Sequence, residues 1–136
     1  MAAGKPRRSR SLHVTWHQTS AMSTQADPDV FAPGEQFDLG FSILSAVRPN
    51  DQIGTAGLHC SVTGAGGSEL LCQAGFTVPG GKIMAQSMFD VATEAFAPVR
   101  KLAITGGTGI YRGVGGELTV TTISDTDEDG QFEFDR

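Results

Sequence analysis

The sequence predicts an all-β domain of about eight antiparallel strands, arranged as a sandwich or a barrel. Three observations carry this. Short runs rich in β-branched and aromatic residues recur at hairpin spacing, separated by clusters of Gly, Pro, Asn and Asp. Apolar residues alternate singly rather than at three- and four-residue intervals, and only Thr93 to Ala97, ended by Pro98, has the pattern of a helical turn. A length of 136 residues suits one domain with one core, and neither an internal repeat nor an interdomain linker interrupts it.

In chain order, the first strand is "LHVTWHQTSA" (12–21), preceded by a basic, polar tail over residues 1–11. The second, "EQFDLGFSILSAV" (35–47), sets Phe37, Leu39, Phe41 and Ile43 on one face. "IGTAGLHCSV" (53–62) and "ELLCQAGFTV" (69–78) pair about the turn in "TGAGGSE". "KIMAQSMFDV" (82–91) follows "PGG", and "RKLAIT" (100–105), "ELTVTTI" (117–123) and "QFEFDR" (131–136) complete the set. Between the last two lies "SDTDEDG" (124–130), whose Asp125, Asp127, Asp129 and Gly130 match the opening of a calcium loop. The twelfth loop position is Arg136 and the flanks are strands, so the stretch reads as an acidic hairpin turn. Glu69, Glu94 and Glu117 are carboxylates scattered in or near strands.

The glycine-rich stretch "LAITGGTGIYRGVGGELTV" (102–120) invites comparison with a nucleotide loop, and its spacing rejects it. Gly107-Thr108-Gly109 is followed three residues on by Arg112 rather than glycine, and the nearest lysine, Lys101, precedes the glycines. The β-branched run that follows favours a strand, which leaves no helix N-terminus for an anion. The stretch is a glycine corner between strands, where Tyr111 and Arg112 either turn the chain or close one end of a pocket.

Charge narrows the partners. Lys5, Arg7, Arg8 and Arg10 lie in the tail, and residues 12–136 carry 6 basic and 15 acidic side chains, a net of −9. So acidic a body disfavours nucleic acid and anionic membranes. The tail lacks an apolar segment of the secretory kind, and a cytoplasmic protein is expected. Cys60 and Cys72 face one another across the hairpin, where a disulfide is geometrically conceivable. In a reducing compartment they are expected as buried thiols, and no second Cys/His pair completes a metal site.

"IGTAGLHC", "PGGKIMAQSMF" and "LAITGGTGIYRGVGGELTV" resemble the allene oxide cyclase and dirigent barrel superfamily, over about residues 35–124 and most closely over 53–61 and 80–120. The resemblance implies an eight-stranded antiparallel β-barrel that forms homo-dimers or homo-trimers. It also implies one apolar pocket and no metal or organic cofactor. On this likeness His59 occupies the place of a pocket cysteine and Phe89 that of a pocket tyrosine. Trp16 and Gln18 fall near a first-strand glutamate and asparagine, and Phe41 near a second-strand asparagine. No carboxylate stands at those positions, so closure of an epoxide-derived cation is not expected.

The expected function is therefore that of a cofactor-independent cyclase or isomerase acting on a reactive, apolar polyene or polyketide intermediate in specialised metabolism. Cycloaddition is one route, and a non-catalytic dirigent-like or carrier barrel is the alternative. Phe37, Leu39, Phe41 and Phe89 are the expected wall of the lumen, with Cys60 and Tyr111 beside them. Trp16, the sole tryptophan, either packs in the core or stacks on a conjugated chain. Gln18 or His59 is the candidate donor to a substrate carbonyl. His13 and His17, four residues apart, are expected to point outward.

Overall fold

The computed structural model describes residues 10–64 and 68–135. Eight strands run β1 (Arg10–Ser23), β2 (Gln36–Ser45), β3 (Gln52–Thr63), β4 (Glu69–Val78), β5 (Gly81–Asp90), β6 (Val99–Gly109), β7 (Gly116–Thr122) and β8 (Asp127–Phe134). Each pairs antiparallel with the next, and β1 pairs antiparallel with β8 to close a barrel. Of the tail expected over 1–11, Arg10 and Ser11 belong to β1, and residues 1–9 lie outside the described residues. The expected helical turn is a turn only, in which Glu94 N–H donates to Asp90 O at 2.8 Å.

Alternation decides what fills the barrel. Val14, Ile43, Ile83, Leu118 and Phe132, each at most 1% exposed, occupy the end where β1 begins and β8 finishes. The glycine corner seals that end. Tyr111 and Val114 are buried, and the Tyr111 ring lies 5.4 Å from that of Phe134. Gly109 has φ of +65°, and a Cβ there would come within 2.2 Å of Gly80 O. Only glycine combines that backbone with so close an approach.

At the β1–β8 seam His13 pairs with Asp129, and His17 Nδ1 lies 2.6 Å from Asp127 Oδ1. These side chains are on the outer face, where β-strand alternation places them. The hydrogen bond from His17, followed by one from the Thr126 hydroxyl, holds the Asp127 carboxyl below its ordinary value.

Cys60 and Cys72 form a disulfide, which corrects the expectation of free thiols. They are direct partners in the β3–β4 register with Cα atoms 4.1 Å apart, as befits the narrow pair of an antiparallel ladder. The bond joins the two neighbouring strands on their inward face, where both cysteines are buried.

Two outcomes are expected. Replacing both cysteines with serine should lower unfolding free energy by about 2–4 kcal/mol in denaturant titrations, and reductant should lower the wild type to match. Indifference of the wild type to reductant would mean that the thiols are free. The lowered Asp127 value means that its seam contribution is present above the ordinary carboxyl value of 3.8 and is lost as pH falls through the lower folded value. Carboxyl NMR titration should show the Asp127 midpoint rising in His17→Ala.

Candidate active site

The other half of the barrel is hollow. A cavity of about 370 Å³ reaches the end capped by the 24–35 and 91–98 segments. It lies at the lower end of the roughly 300–1,000 Å³ usual for small-molecule sites. Small or thin residues on β3 and β4, namely Ala56, Ala74 and the Cys60–Cys72 bridge, leave the space. Aromatic rings from β1, β2 and β4 adjoin them. Trp16 lies 6.3 Å from Phe41 and 5.4 Å from Phe76, centroid to centroid, both tilted.

The mouth is also aromatic. Phe31 packs 5.3 Å from Phe37 and 5.9 Å from Phe96, although Phe96 is 70% exposed. The segment carrying Phe31 is tied by its own side chains. Glu35 accepts from the backbone N–H of Ala26 at 2.8 Å and of Ala32 at 2.7 Å, and Gln25 Nε2 donates to Val30 O at 2.7 Å.

Besides Gln25 near the mouth, a charged cluster interrupts the apolar wall. Trp16 Nε1–H donates to Glu128 Oε1 at 2.8 Å, and Arg100 Nη2 donates to Glu128 Oε2 at 2.5 Å and to Thr122 Oγ1 at 3.1 Å. The Arg100 and Glu128 side chains are 17% and 23% exposed, so the ion pair is largely withdrawn from water. Each charge neutralises the other, and Glu128 fixes the plane of the indole. Below it on β8, Gly130 makes room for Trp16, since a Cβ there would fall 2.1 Å from Trp16 Cζ3. Among the described residues no group of three His, Cys, Asp or Glu is placed to hold a metal ion.

Six of the residues expected at the site come together in the cavity wall: Trp16, Phe37, Leu39, Phe41, Phe89 and Cys60. Three do not. His59 stands on the outer face of β3 with Nδ1 2.7 Å from Asp38 Oδ1, because Cys60, its neighbour, takes the inward place. Gln18 sits where the β1–β2 register shifts between Gln18 and Ser20, its N–H bound to Thr126 O, and does not line the cavity. Tyr111 belongs to the sealed floor. The sequence reading missed Arg100 and Glu128. Arg100 shares the inward phase of Leu102 and Ile104, a charge in an apolar alternation that was legible. Glu128 was not, because β8 begins at Asp127 rather than at residue 131.

Neither a family model nor a curated protein matches the sequence. Solved structures do match the fold. Pyocyanin demethylase superposes with a TM-score of 0.78 at 20% identity, over 92% of this chain and 99% of its own. An exo-specific intermolecular Diels-Alderase gives 0.73 at 16% identity, over 93% and 98%. A pterocarpan synthase dirigent protein gives 0.69 at 17%, over 93% and 87%. The chain shares the eight-stranded barrel fold of these structures. At these identities the likeness is one of fold, and a fold of this kind carries several chemistries, so the site must decide among them. No helix among the described residues is long and apolar enough to cross a membrane.

Gly130→Ala should push the indole off Glu128 and cost about 1–3 kcal/mol by overpacking. A red-shifted Trp16 emission with a lowered melting temperature is the expected result; unchanged emission would show that the indole does not rest on Gly130.

Proposed function

We propose that the barrel is a cofactor-independent cyclase that folds a reactive, largely apolar polyene or polyketide chain inside its lumen. The observation that carries this is the largely buried polar cluster Trp16–Glu128–Arg100, set among aromatic rings in a mostly apolar cavity. Carriage alone requires only the apolar wall. The buried ion pair adds orientation and a fixed field at one point along a bound chain, which serves reaction rather than storage. Neighbours of the same fold named as a Diels-Alderase and a pterocarpan synthase support the reading.

The mechanism is a conformational trap. The wall formed by Phe37, Leu39, Phe41 and Phe89 excludes water and bends the chain until the bond-forming carbons meet. Trp16 offers its face to the conjugated segment while its N–H is held by Glu128. Replacing an open-chain search by such a near-attack geometry lowers a barrier by up to roughly 7–11 kcal/mol in the best cases, without acid or base.

The test is incubation with linear polyenes that carry a diene and an alkene in one chain, followed by chromatography and mass spectrometry for products of unchanged mass. Wild type should accelerate closure, and Trp16→Ala and Phe41→Ala should each slow it by about ten- to a hundredfold. Saturable binding without product would assign the barrel to carriage, and absence of binding would overturn the reading of the cavity.

A further inference from the structure

We infer that Arg100 is the electrophilic group of the lumen, and that the substrate is a polyene conjugated to a neutral carbonyl whose oxygen Arg100 receives. This deepens the cyclase reading and rests on it.

The argument begins with the donors of Arg100. A guanidinium has five N–H donors and no acceptor. In this chain both contacts of Arg100, to Glu128 and to Thr122, come from Nη2. Nε is buried without a partner, and it is the one buried side-chain N or O atom among the described residues so left. Leaving a buried donor unpaired costs about 1–3 kcal/mol, so such groups are rare outside places where an acceptor arrives. Arg100 lines the cavity, which sets its guanidinium beside any molecule bound there.

The charge of the cluster selects the kind of acceptor. Glu128 already neutralises the guanidinium within a largely water-excluded wall. A substrate carboxylate would bring a second, uncompensated negative charge beside Glu128, which burial penalises. A ketone, ester or lactone oxygen brings a lone pair and no net charge. The apolar remainder of the wall then takes the hydrocarbon part, with Trp16 stacked against it.

The chemistry follows from that placement. In a concerted closure of diene on alkene, three π bonds become two σ bonds and one π bond, with no proton or electron transferred. When the alkene is conjugated to a carbonyl, electron density drifts towards its oxygen as the bonds form. A donor from a charged group at that oxygen is therefore stronger in the transition state than in the ground state, which is the condition for catalysis. Gln18 and His59, the donors expected from sequence, stand outside the cavity, and Arg100 takes this role.

The experiment compares two probes of equal chain length, a linear conjugated trienone carrying a ¹³C-labelled carbonyl and the corresponding triene hydrocarbon. Binding is read by fluorescence of Trp16, the sole tryptophan. Isotope-edited infrared spectroscopy reads the carbonyl. Because Arg100→Met alone strands Glu128 as an unpaired buried charge, the test variant is the double replacement R100M/E128Q. Wild type should bind the trienone at least about tenfold more tightly than the hydrocarbon, with the carbonyl band moved to lower wavenumber. In R100M/E128Q the preference should shrink to within about twofold and the band should return towards its value in hydrocarbon solvent. Lys101→Met, a charge removed from the outer face one residue along, should keep both. Equal affinities in wild type, or a band shift surviving in R100M/E128Q, would overturn the role of Arg100 while the cavity still binds apolar chains; Nε would then be met by water only. Failure of wild type to bind either probe would remove the cyclase reading itself.

Discussion

Closure of the first strand on the last governs both the core and the site. In the β1–β8 register Val14 lies opposite Gly130 and Trp16 opposite Glu128. The hydrogen bond from Trp16 to Glu128 thus joins residues 112 apart in sequence, and it exists only when the ring of strands is complete. A slip of one residue would turn Trp16 outward and His17 inward, exchanging the apolar and polar faces of the seam. The outer His17–Asp127 pair and the inner Trp16–Glu128 pair specify the same register from opposite sides of one wall. Closure also removes the exposed edges through which an open sheet would pair with other chains.

The ion pair inside that wall is poorly explained as a source of stability. Withdrawing two charges from water costs several kcal/mol per ion, and well-packed hydrophobic residues often serve as well or better. Here the cost is offset by saturation of Glu128, which accepts from Trp16 and Arg100 on separate oxygens, and by the Thr122 contact. The arrangement fixes an indole plane and a guanidinium at one depth in the lumen. A pair retained at the cavity, with one nitrogen still unsatisfied, is better understood through what it holds ready than through what it stabilises.

How much of this was legible varies with the physical signal. Strand positions were, because β-branched alternation and glycine punctuation are local properties, and Phe37, Leu39 and Phe41 fell on one face as their spacing requires. Parity was harder. His59 and Cys60 are adjacent, so one must face in and the other out, and only the register with β2 and β4 settles that Cys60 is inward. The acidic stretch misled for a similar reason. Three aspartates and a glutamate have the composition of a turn, yet closure against β1 draws Asp127 to Gly130 into β8 and sends Glu128 inside. Composition reports what a segment prefers alone, whereas the partner strand decides which carboxylate enters the lumen. The disulfide was missed on a premise about compartment, although the hairpin register had already placed the two sulfurs together.

The two ends of the barrel divide its labour through one and the same alternation. Towards the floor the inward places hold Val14, Ile43, Ile83 and Phe132, each at most 1% exposed. Midway up the barrel the inward places of β3 and β4 include Ala56, Ala74 and two bridged cysteines, which leave space between the larger Leu58, Leu70 and Phe76. A hollow of this kind keeps its shape only if something other than packing resists collapse. The ladder hydrogen bonds of a closed ring supply part of that resistance, and the disulfide ties β3 to β4 at the cavity wall. Shape retention bears on the proposed trap, which would accelerate closure only in proportion to how narrowly it restricts the bound chain. The sealed floor, the bridged cysteines and the indole held by Glu128 thus fix the form of the empty space, which is what the proposed trap requires.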